Sequence, residues 1–180
     1  RPTPDAVFEH LLKHQPTLFF GVPTLYAAML AATNNPMADA LSLRACVSAG
    51  EALPASIYQR WQEQFNVPIY DGIGSTEMLY IFISNSPDNI TLGTTGKPVP
   101  GYQIRLIDEL GEEITSSNTI GDMQVKGPTS SIHYWNNTEK SQATFLGQWT
   151  NSGDKYAIDE KGNYAYAGRS DDMLKVSGIY

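Results

Sequence analysis

In the N-terminal half of the chain, apolar positions recur at three- to four-residue spacing between short continuous apolar runs. Behind a Thr3/Asp5 start, Ala6, Val7, Leu11 and Leu12 share one helical face, which predicts an amphipathic helix over residues 3–15. Residues 17–22 form an apolar run that predicts a strand. Pro23 then opens a second helix over 24–32, because proline's fixed φ and missing N–H suit a first helical turn. Residues 44–48 read as a short buried strand ending in Ala49-Gly50-Glu51. A third helix starts at Pro54 and runs to about Phe65, and 67–71 is the next strand. Strands alternating with helices across short loops predict a parallel sheet with helical cover.

The pattern changes after about Asn89, where Gly, Pro and acidic turn residues separate short runs of period two. Residues 102–107 and 121–126 alternate inward and outward positions, with Asp108-Glu109-Leu110-Gly111 as a turn before 112–114. A hairpin is predicted where 156–158 meets 164–167 across Asp159-Glu160-Lys161-Gly162. One short helix, 137–145, interrupts the β pattern, capped by Asn136 or Asn137. The expected fold class is therefore α/β: a parallel-sheet α/β subdomain over 1–90, then a small distorted antiparallel β-barrel over 91–168, packed together without a flexible linker.

Composition narrows the chemistry. A length of 180 residues with 41% hydrophobic content supports one ordinary core or two small ones in contact. Twelve basic against nineteen acidic side chains give a net charge of −7, which argues against a broad nucleic-acid or anionic-membrane footprint. A polyanionic ligand must then be met locally, by backbone N–H groups, a metal or a few cations. The single cysteine, Cys46, lies in an apolar run, so no internal disulfide forms and a reducing, cytoplasmic setting is expected. Nothing at Arg1 resembles a signal peptide, and no apolar run approaches the roughly 20 residues that span a bilayer. Both ends of the chain look cut from something longer.

The candidate chemistry centres on Asp71-Gly72-Ile73-Gly74-Ser75-Thr76-Glu77, which follows a strand where open α/β sheets bind ligands. Its glycines let backbone approach a ligand, Ser75 and Thr76 can donate to phosphate oxygens, and Glu77 can hold a divalent metal. Spacing alone leaves a second reading open, a Gly-containing turn whose hydroxyls cap the next helix with Glu77 in its first turn. Taken alone, without the order of the motifs, Asp154 and Arg169 on adjoining strands read more readily as a surface ion pair than as a ligand-binding pair, and Asp171-Asp172 as a solvated turn. His10 and His14 stand four apart on the first helix without a third ligand nearby, which favours a solvated face over a metal bridge.

Taken together, the ordered segments Ser48-Ala49-Gly50-Glu51-Ala52-Leu53, Tyr70 to Glu77, Gly96-Lys97-Pro98-Val99-Pro100-Gly101, Gly121-Asp122-Met123-Gln124-Val125, Ser152-Gly153-Asp154 and Gly168-Arg169-Ser170-Asp171-Asp172 resemble the adenylate-forming superfamily. That superfamily includes acyl- and aryl-CoA synthetases, adenylation domains of peptide synthetases and firefly luciferase. Gly74-Ser75-Thr76-Glu77-Met78-Leu79, Tyr134-Trp135-Asn136-Asn137 and the stretch from Met173 to Tyr180 are most similar to benzoate-CoA ligases and their aryl-CoA relatives.

The resemblance implies an ATP-dependent ligase that activates a carboxylic acid, of aromatic kind in view of those three stretches, as an acyl-adenylate and passes it to CoA, with Mg²⁺. Gly50, Glu51 and Ala52 would line the adenine with Asp71 and Gly72 beside it. Thr76 would bind the α-phosphate and Glu77 position the metal. Asp154 would accept both ribose hydroxyls, with Arg169 as a second contact. Tyr26, Gly74 and Tyr80 would border the acyl group, Asp171 would be the hinge to a further domain beginning within 169–180, and Gly178 would border the CoA channel. Two departures stand out: Tyr80 replaces the His usual in benzoate ligases, and Ser152 replaces a commoner Thr. The loop holding the outer phosphates and the adenylating lysine are expected outside these residues, so the chain alone should turn over poorly. A carrier-protein acceptor and a non-catalytic binding module are the competing implications.

Overall fold

Helix α1 (Pro4–His14) begins where the Thr3 hydroxyl accepts the Ala6 N–H at 3.4 Å and ends where Gln15 turns left-handed at φ 47°. The structure, a computed structural model, describes residues 2–170. The buried stripe of α1 is Phe8 and Leu11, with Val7 at its margin, whereas Leu12 is exposed. Spacing placed Leu12 inside because it follows Leu11 on the same flank. The larger Phe8 ring, three residues before Leu11, occupies the core instead.

Strands β1 (Leu18–Gly21), β2 (Ala45–Ser48) and β3 (Ile69–Gly74) pair in parallel, with Phe19 beside Cys46 and Cys46 beside Ile69. Between them run α2 (Pro23–Ala31) and α3 (Ala55–Phe65), which starts after Pro54. These helices close an aromatic core: Trp61 meets Tyr26 edge-on at 4.9 Å and Phe65 at 4.4 Å, and Phe65 meets Phe8 at 5.9 Å. Cys46 is fully buried there, and burial pushes its thiol up to about 12, so it is an inert core residue.

The sheet does not stop at β3. After a turn over 75–80 the chain returns antiparallel as β4 (Ile81–Ser84), and β5 (Lys97–Pro98) adds to its far side, giving the order β1-β2-β3-β4-β5. The Ser75 hydroxyl accepts the Met78 N–H at 3.2 Å, but the turn it closes reverses the chain and starts no helix. Gly74 permits the reversal, since a Cβ there would stand 2.3 Å from the Tyr80 carbonyl oxygen.

The second sheet is antiparallel. Strands β6 (Gln103–Ile107), β7 (Gly121–Lys126), β9 (Trp149–Ile158) and β10 (Tyr164–Arg169) lie in the order β10-β9-β7-β6, with β8 (Phe145–Leu146) on β9 and α4 (Thr138–Thr144) before it. The sheet curls as half a barrel, open between β6 and β10. Asn137 caps α4 by accepting the Lys140 N–H at 3.1 Å. The hairpin turn is built on Asp159, whose Oδ1 accepts the N–H groups of Lys161 and Asn163, each at 2.8 Å. Residues 112–114 form no strand and make one bridge, Glu113 to Ile107. β9 is longer than its period-two stretch because pairing with β7 at Thr150 and Asn151 and with β10 at Asp154 and Lys155 carries the polar run into the sheet.

The two sheets are joined by main chain. Thr95 N–H donates to the Tyr164 carbonyl and Tyr164 N–H to the Gly96 carbonyl, both at 2.8 Å. The Thr95 hydroxyl also meets the buried Tyr156 hydroxyl at 3.2 Å. Met78 of the turn and Phe82 and Ile83 of β4 share a core with Leu106, Met123, Val125, Tyr156 and Tyr164 of the second half. No helix among the described residues is long and apolar enough to cross a membrane.

Gly96 sits at this seam with φ +93°, and a Cβ there would lie 2.4 Å from the Ser84 carbonyl oxygen and 2.5 Å from the Asn85 nitrogen. Gly101 has a similar φ of +97° with nothing near it. Gly101→Ala should therefore cost only backbone strain, about 1–2 kcal/mol, and Gly96→Ala clearly more, read as the shift of the urea midpoint. Equal losses would show that the seam tolerates a side chain.

Candidate functional site

Beyond the carboxyl ends of β2 and β3 the chain leaves a cleft of about 560 Å³, closed on its far side by β9 and β10. One wall is Gly50, Glu51, Ala52 and the β3 residues Asp71, Gly72 and Gly74. The other is Asp154, Tyr156, Gly168 and Arg169. Residues eighty or more positions apart in sequence thus face one space because the seam at Thr95–Gly96 holds the two sheets together. Two of the walls' side chains, Thr95 and Tyr156, and the bordering Tyr166 were not singled out in the sequence, where they read as ordinary strand and turn residues.

Asp154 and Arg169 are register partners on β9 and β10, and their side chains meet, Nη1 donating to Oδ1 at 3.2 Å. Only 15% and 12% of the respective side chains are exposed, so this is a half-sequestered pair in the cleft rather than a surface one. The preceding residues set its geometry. Gly153 leaves room for the guanidinium, since a Cβ there would lie 2.8 Å from Arg169 Nη2. The Ser152 hydroxyl donates to the Met123 carbonyl at 2.9 Å and accepts the Asp154 N–H at 3.1 Å, which uses only the hydroxyl that Ser and Thr share.

Asp71 is 5% exposed, and its Oδ1 has no hydrogen-bond partner. Burial pushes its carboxyl up to about 7, against the opposing pull of backbone N–H groups at Leu53 and Gly72. A buried acceptor without a donor at a cavity wall is a place where a ligand N–H is favoured.

A second hollow of about 310 Å³ lies on the other side of the glycines and is lined by Phe20, Gly50, Gly74, Thr76, Leu79 and Tyr80 among others. Gly50 and Gly74 border both spaces, so the two lie on either side of bare backbone. Thr76 and Tyr80 are exposed on this side. Tyr26 is not: it is fully buried, and its hydroxyl donates toward the Val47 carbonyl at 2.9 Å and the Phe19 carbonyl at 3.3 Å. Its ring backs the hollow from beneath Gly21, where a Cβ would meet it at 3.1 Å.

Glu77 is half-buried, and its Oε1 accepts the Tyr134 hydroxyl at 2.5 Å. Burial raises its carboxyl, but hydrogen bonds from Tyr134, its own N–H and Ser75, with the charge of Lys140, outweigh that and hold it below the usual range. Tyr134 was visible in the sequence as part of Tyr134-Trp135-Asn136-Asn137, yet no spacing pattern ties it to a carboxylate 57 positions away. His10 and His14 stack at 5.5 Å, and no group of three His, Cys, Asp or Glu side chains stands ready for a metal among the described residues. Asp171 and Gly178 lie outside the described residues.

The sequence and the fold were compared with known proteins. The chain is 62% identical over its whole length to a benzoate–CoA ligase of Thauera aromatica, of which it covers 34%. A solved benzoate CoA ligase from Burkholderia xenovorans LB400 superposes on 98% of the chain with a TM-score of 0.93 at 56% identity, the match covering 36% of that protein. The anthranilate CoA ligase AuaEII, solved with anthranoyl-AMP, superposes on 98% of the chain at a TM-score of 0.89 and 46% identity, covering 34% of its own length. The chain thus spans about a third of the length of the relatives it matches. The model of the AMP-binding enzyme family matches residues 1–135, which takes in both glycine-bordered hollows on the side of the first sheet and Glu77 with its Tyr134 partner: the chain belongs to the AMP-binding enzyme family.

Proposed function

We propose that the protein carrying this chain is an AMP-forming acid–thiol ligase that joins a benzoate-like aromatic acid to CoA, and that the cleft between the two sheets is its nucleotide pocket. The observation that carries the reading is the cleft itself, where the Asp154–Arg169 pair faces Gly50–Ala52 and the buried Asp71. A carboxylate accepts and a guanidinium donates, which suits the vicinal hydroxyls of a ribose. Buried Asp71 offers its lone acceptor beside the space assigned to adenine. The aromatic-acid class comes from the activities of its relatives, together with the apolar hollow at Phe20, Leu79 and Tyr80.

In the reaction so read, the carboxylate oxygen bonds to the α-phosphorus of ATP and the bond from that phosphorus to the bridging oxygen breaks, releasing pyrophosphate. The CoA thiol sulfur then bonds to the acyl carbon as the acyl carbon–oxygen bond to the phosphate breaks, so that AMP leaves with that oxygen and the thiol proton passes to solvent. Gly50 and Gly74 stand between the two hollows, so bare backbone lets acid and α-phosphate meet, with Thr76 donating to the phosphate. Glu77 fits a Mg²⁺ site, being a hard carboxylate held ionised, and Mg²⁺ takes one or two carboxylates beside substrate phosphates. When bound, the ion supplies charge neutralisation that an acidic chain otherwise lacks. Asp171 is assigned as the hinge and Gly178 as the border of the CoA channel. Residues 1–90 are assigned to the part of the α/β subdomain that carries the adenine and phosphate loop, 91–168 to the barrel-like subdomain with Asp154, and 169–180, beginning at Arg169, to the hinge and the start of a further domain. We place the enzyme in the cytoplasm, where ATP and CoA are at hand.

A panel of benzoate, its hydroxy and amino derivatives and short aliphatic acids, read as AMP formation by the full-length protein with ATP and CoA, tests the assignment. Benzoate or a close derivative should exceed the aliphatic acids by at least roughly tenfold, a margin within reach of apolar pocket fit. An aliphatic preference would overturn the aryl class, and dependence on a carrier protein in place of CoA would favour the other acceptor.

Asp154→Ala should weaken binding of a non-reactive acyl-AMP mimic by roughly 10- to 100-fold, as loss of charged hydrogen bonds worth about 1.5–3 kcal/mol implies. Undiminished affinity in calorimetry would remove Asp154 from the site.

Asp71 gives a pH signature. Its folded pKa of about 7 lies above the ordinary 3.8, so the fold favours the proton, and stability is lost as pH rises from the ordinary value through 7. Asp71→Asn should therefore gain on wild type between about pH 5 and pH 8, by up to a few kcal/mol at the upper end. A gap in urea stability that does not widen with pH would contradict the buried, proton-holding carboxyl.

A further inference from the structure

The turn that carries Glu77 is held from outside at several points, all supplied by one segment of the second half, residues 129–134. The Glu77 carbonyl accepts the Ser131 N–H at 2.7 Å, and the Met78 carbonyl accepts the Thr129 hydroxyl at 2.6 Å. The Glu77 side chain is then fixed by Tyr134, whose hydroxyl donates to Oε1 at 2.5 Å. Thr129 is itself braced by the Tyr102 hydroxyl at 2.8 Å.

Tyr134 is set in turn by α4. Its N–H donates to the Ser141 hydroxyl at 2.9 Å, and that hydroxyl donates to the Asn137 carbonyl at 2.6 Å in the first turn of the helix. The ring packs against Phe145 at 5.3 Å, and the Lys140 ammonium lies 4.8 Å over its face. A short helix with no buried residue of its own is thus arranged around one tyrosine, which reaches a single carboxylate oxygen.

Metal-binding carboxylates need such partners, because a carboxylate free to rotate loses part of its attraction for the ion to the entropy of being ordered. From this geometry we infer that Tyr134 is a positioning residue for the metal-bound phosphates, acting through Glu77, and that α4 holds it in place. The inference rests on the reading of Glu77 given above. Tyr134 fixes Oε1 and with it the orientation in which the carboxylate would meet the ion. Its hydroxyl therefore matters to the metal-dependent part of nucleotide binding and not to the nucleotide contacts made elsewhere in the cleft.

The test is a binding cycle in the full-length protein with a non-hydrolysable ATP analogue, measured by calorimetry with Mg²⁺ and with EDTA. The ratio of the two affinities isolates the contribution of the metal. Tyr134→Phe, which removes only the hydroxyl, should shrink that ratio by roughly 5- to 20-fold while the metal-free affinity stays as in wild type, the low end of what lost partners of metal ligands cost. Glu77→Gln should shrink it at least as much. Ser141→Ala, which loosens Tyr134 without touching Glu77, should shrink it about two- to fivefold on the same grounds, and it serves if the Phe variant does not fold.

The outcomes separate the two layers. A wild-type ratio in Glu77→Gln would sink the metal assignment itself. A reduced ratio in Glu77→Gln with a wild-type ratio in Tyr134→Phe or, where that variant does not fold, in Ser141→Ala would overturn the positioning role alone. Equal losses with and without Mg²⁺ in Tyr134→Phe would likewise refute it, as the mark of a merely structural residue.

Discussion

Two main-chain hydrogen bonds between Thr95–Gly96 and Tyr164 hold the geometry of this chain together. They join a mixed sheet to an antiparallel one at a point where no side chain fits, since Gly96 runs against the Ser84 carbonyl and the Asn85 nitrogen. A main-chain bond has a length and direction that no rotamer can relax, so the walls of the cleft are set by backbone. Around the seam, polar side chains complete the join. Asn85 is buried, donates to the Thr94 carbonyl at 2.9 Å and accepts the Thr91 N–H at 3.1 Å, and Asn89 donates to the buried Asn163 at 2.9 Å. Satisfied groups of this kind specify one arrangement, because any slip would leave several buried donors without partners.

From that constraint the division of labour in the cleft follows. The first sheet contributes bare backbone and a buried acceptor at Gly50, Gly74 and Asp71, and the second contributes a charged pair on β9 and β10. Neither sheet holds both. On the proposed reading, the net charge of −7 does not prevent an anion from binding, because the groups proposed to meet it are local: backbone near the glycines, Arg169 and an ion at Glu77. The Glu77 turn is the place where the two halves meet a second time, through residues 129–134, so the same interface that shapes the pocket also aims the carboxylate.

Much of this was legible in the sequence, and the reasons are physical. The parallel half announced itself through apolar periodicity and proline-started helices, and the Asp159 hairpin through its turn residues. Ordered motifs carried Gly50–Ala52, Asp71–Gly74, Asp154 and Arg169, and the fold brings those residues around one space. What was not legible depends on tertiary pairing. Strands β4 and β5 exist because Gly74 lets the chain fold back on β3, and the polar half of β9 is a strand because β7 and β10 lie beside it. Leu12 is exposed and Phe8 buried because core volume outweighs spacing. Tyr26, assigned to the acyl pocket by its segment, has its hydroxyl taken by two carbonyls within the core, and the sequence has no signal for Tyr134 reaching Glu77.

The central claim is that one cleft, built across the seam, holds the adenylate. A crystal structure of the full-length protein with a non-reactive benzoyl-AMP analogue tests it most directly. The account predicts the ribose hydroxyls within hydrogen-bond distance of Asp154, the adenine between Gly50–Ala52 and Asp71–Gly72, and the aromatic ring in the hollow at Gly74 and Tyr80. An analogue bound elsewhere, or bound in the cleft with its ribose turned away from Asp154 and Arg169, would contradict it.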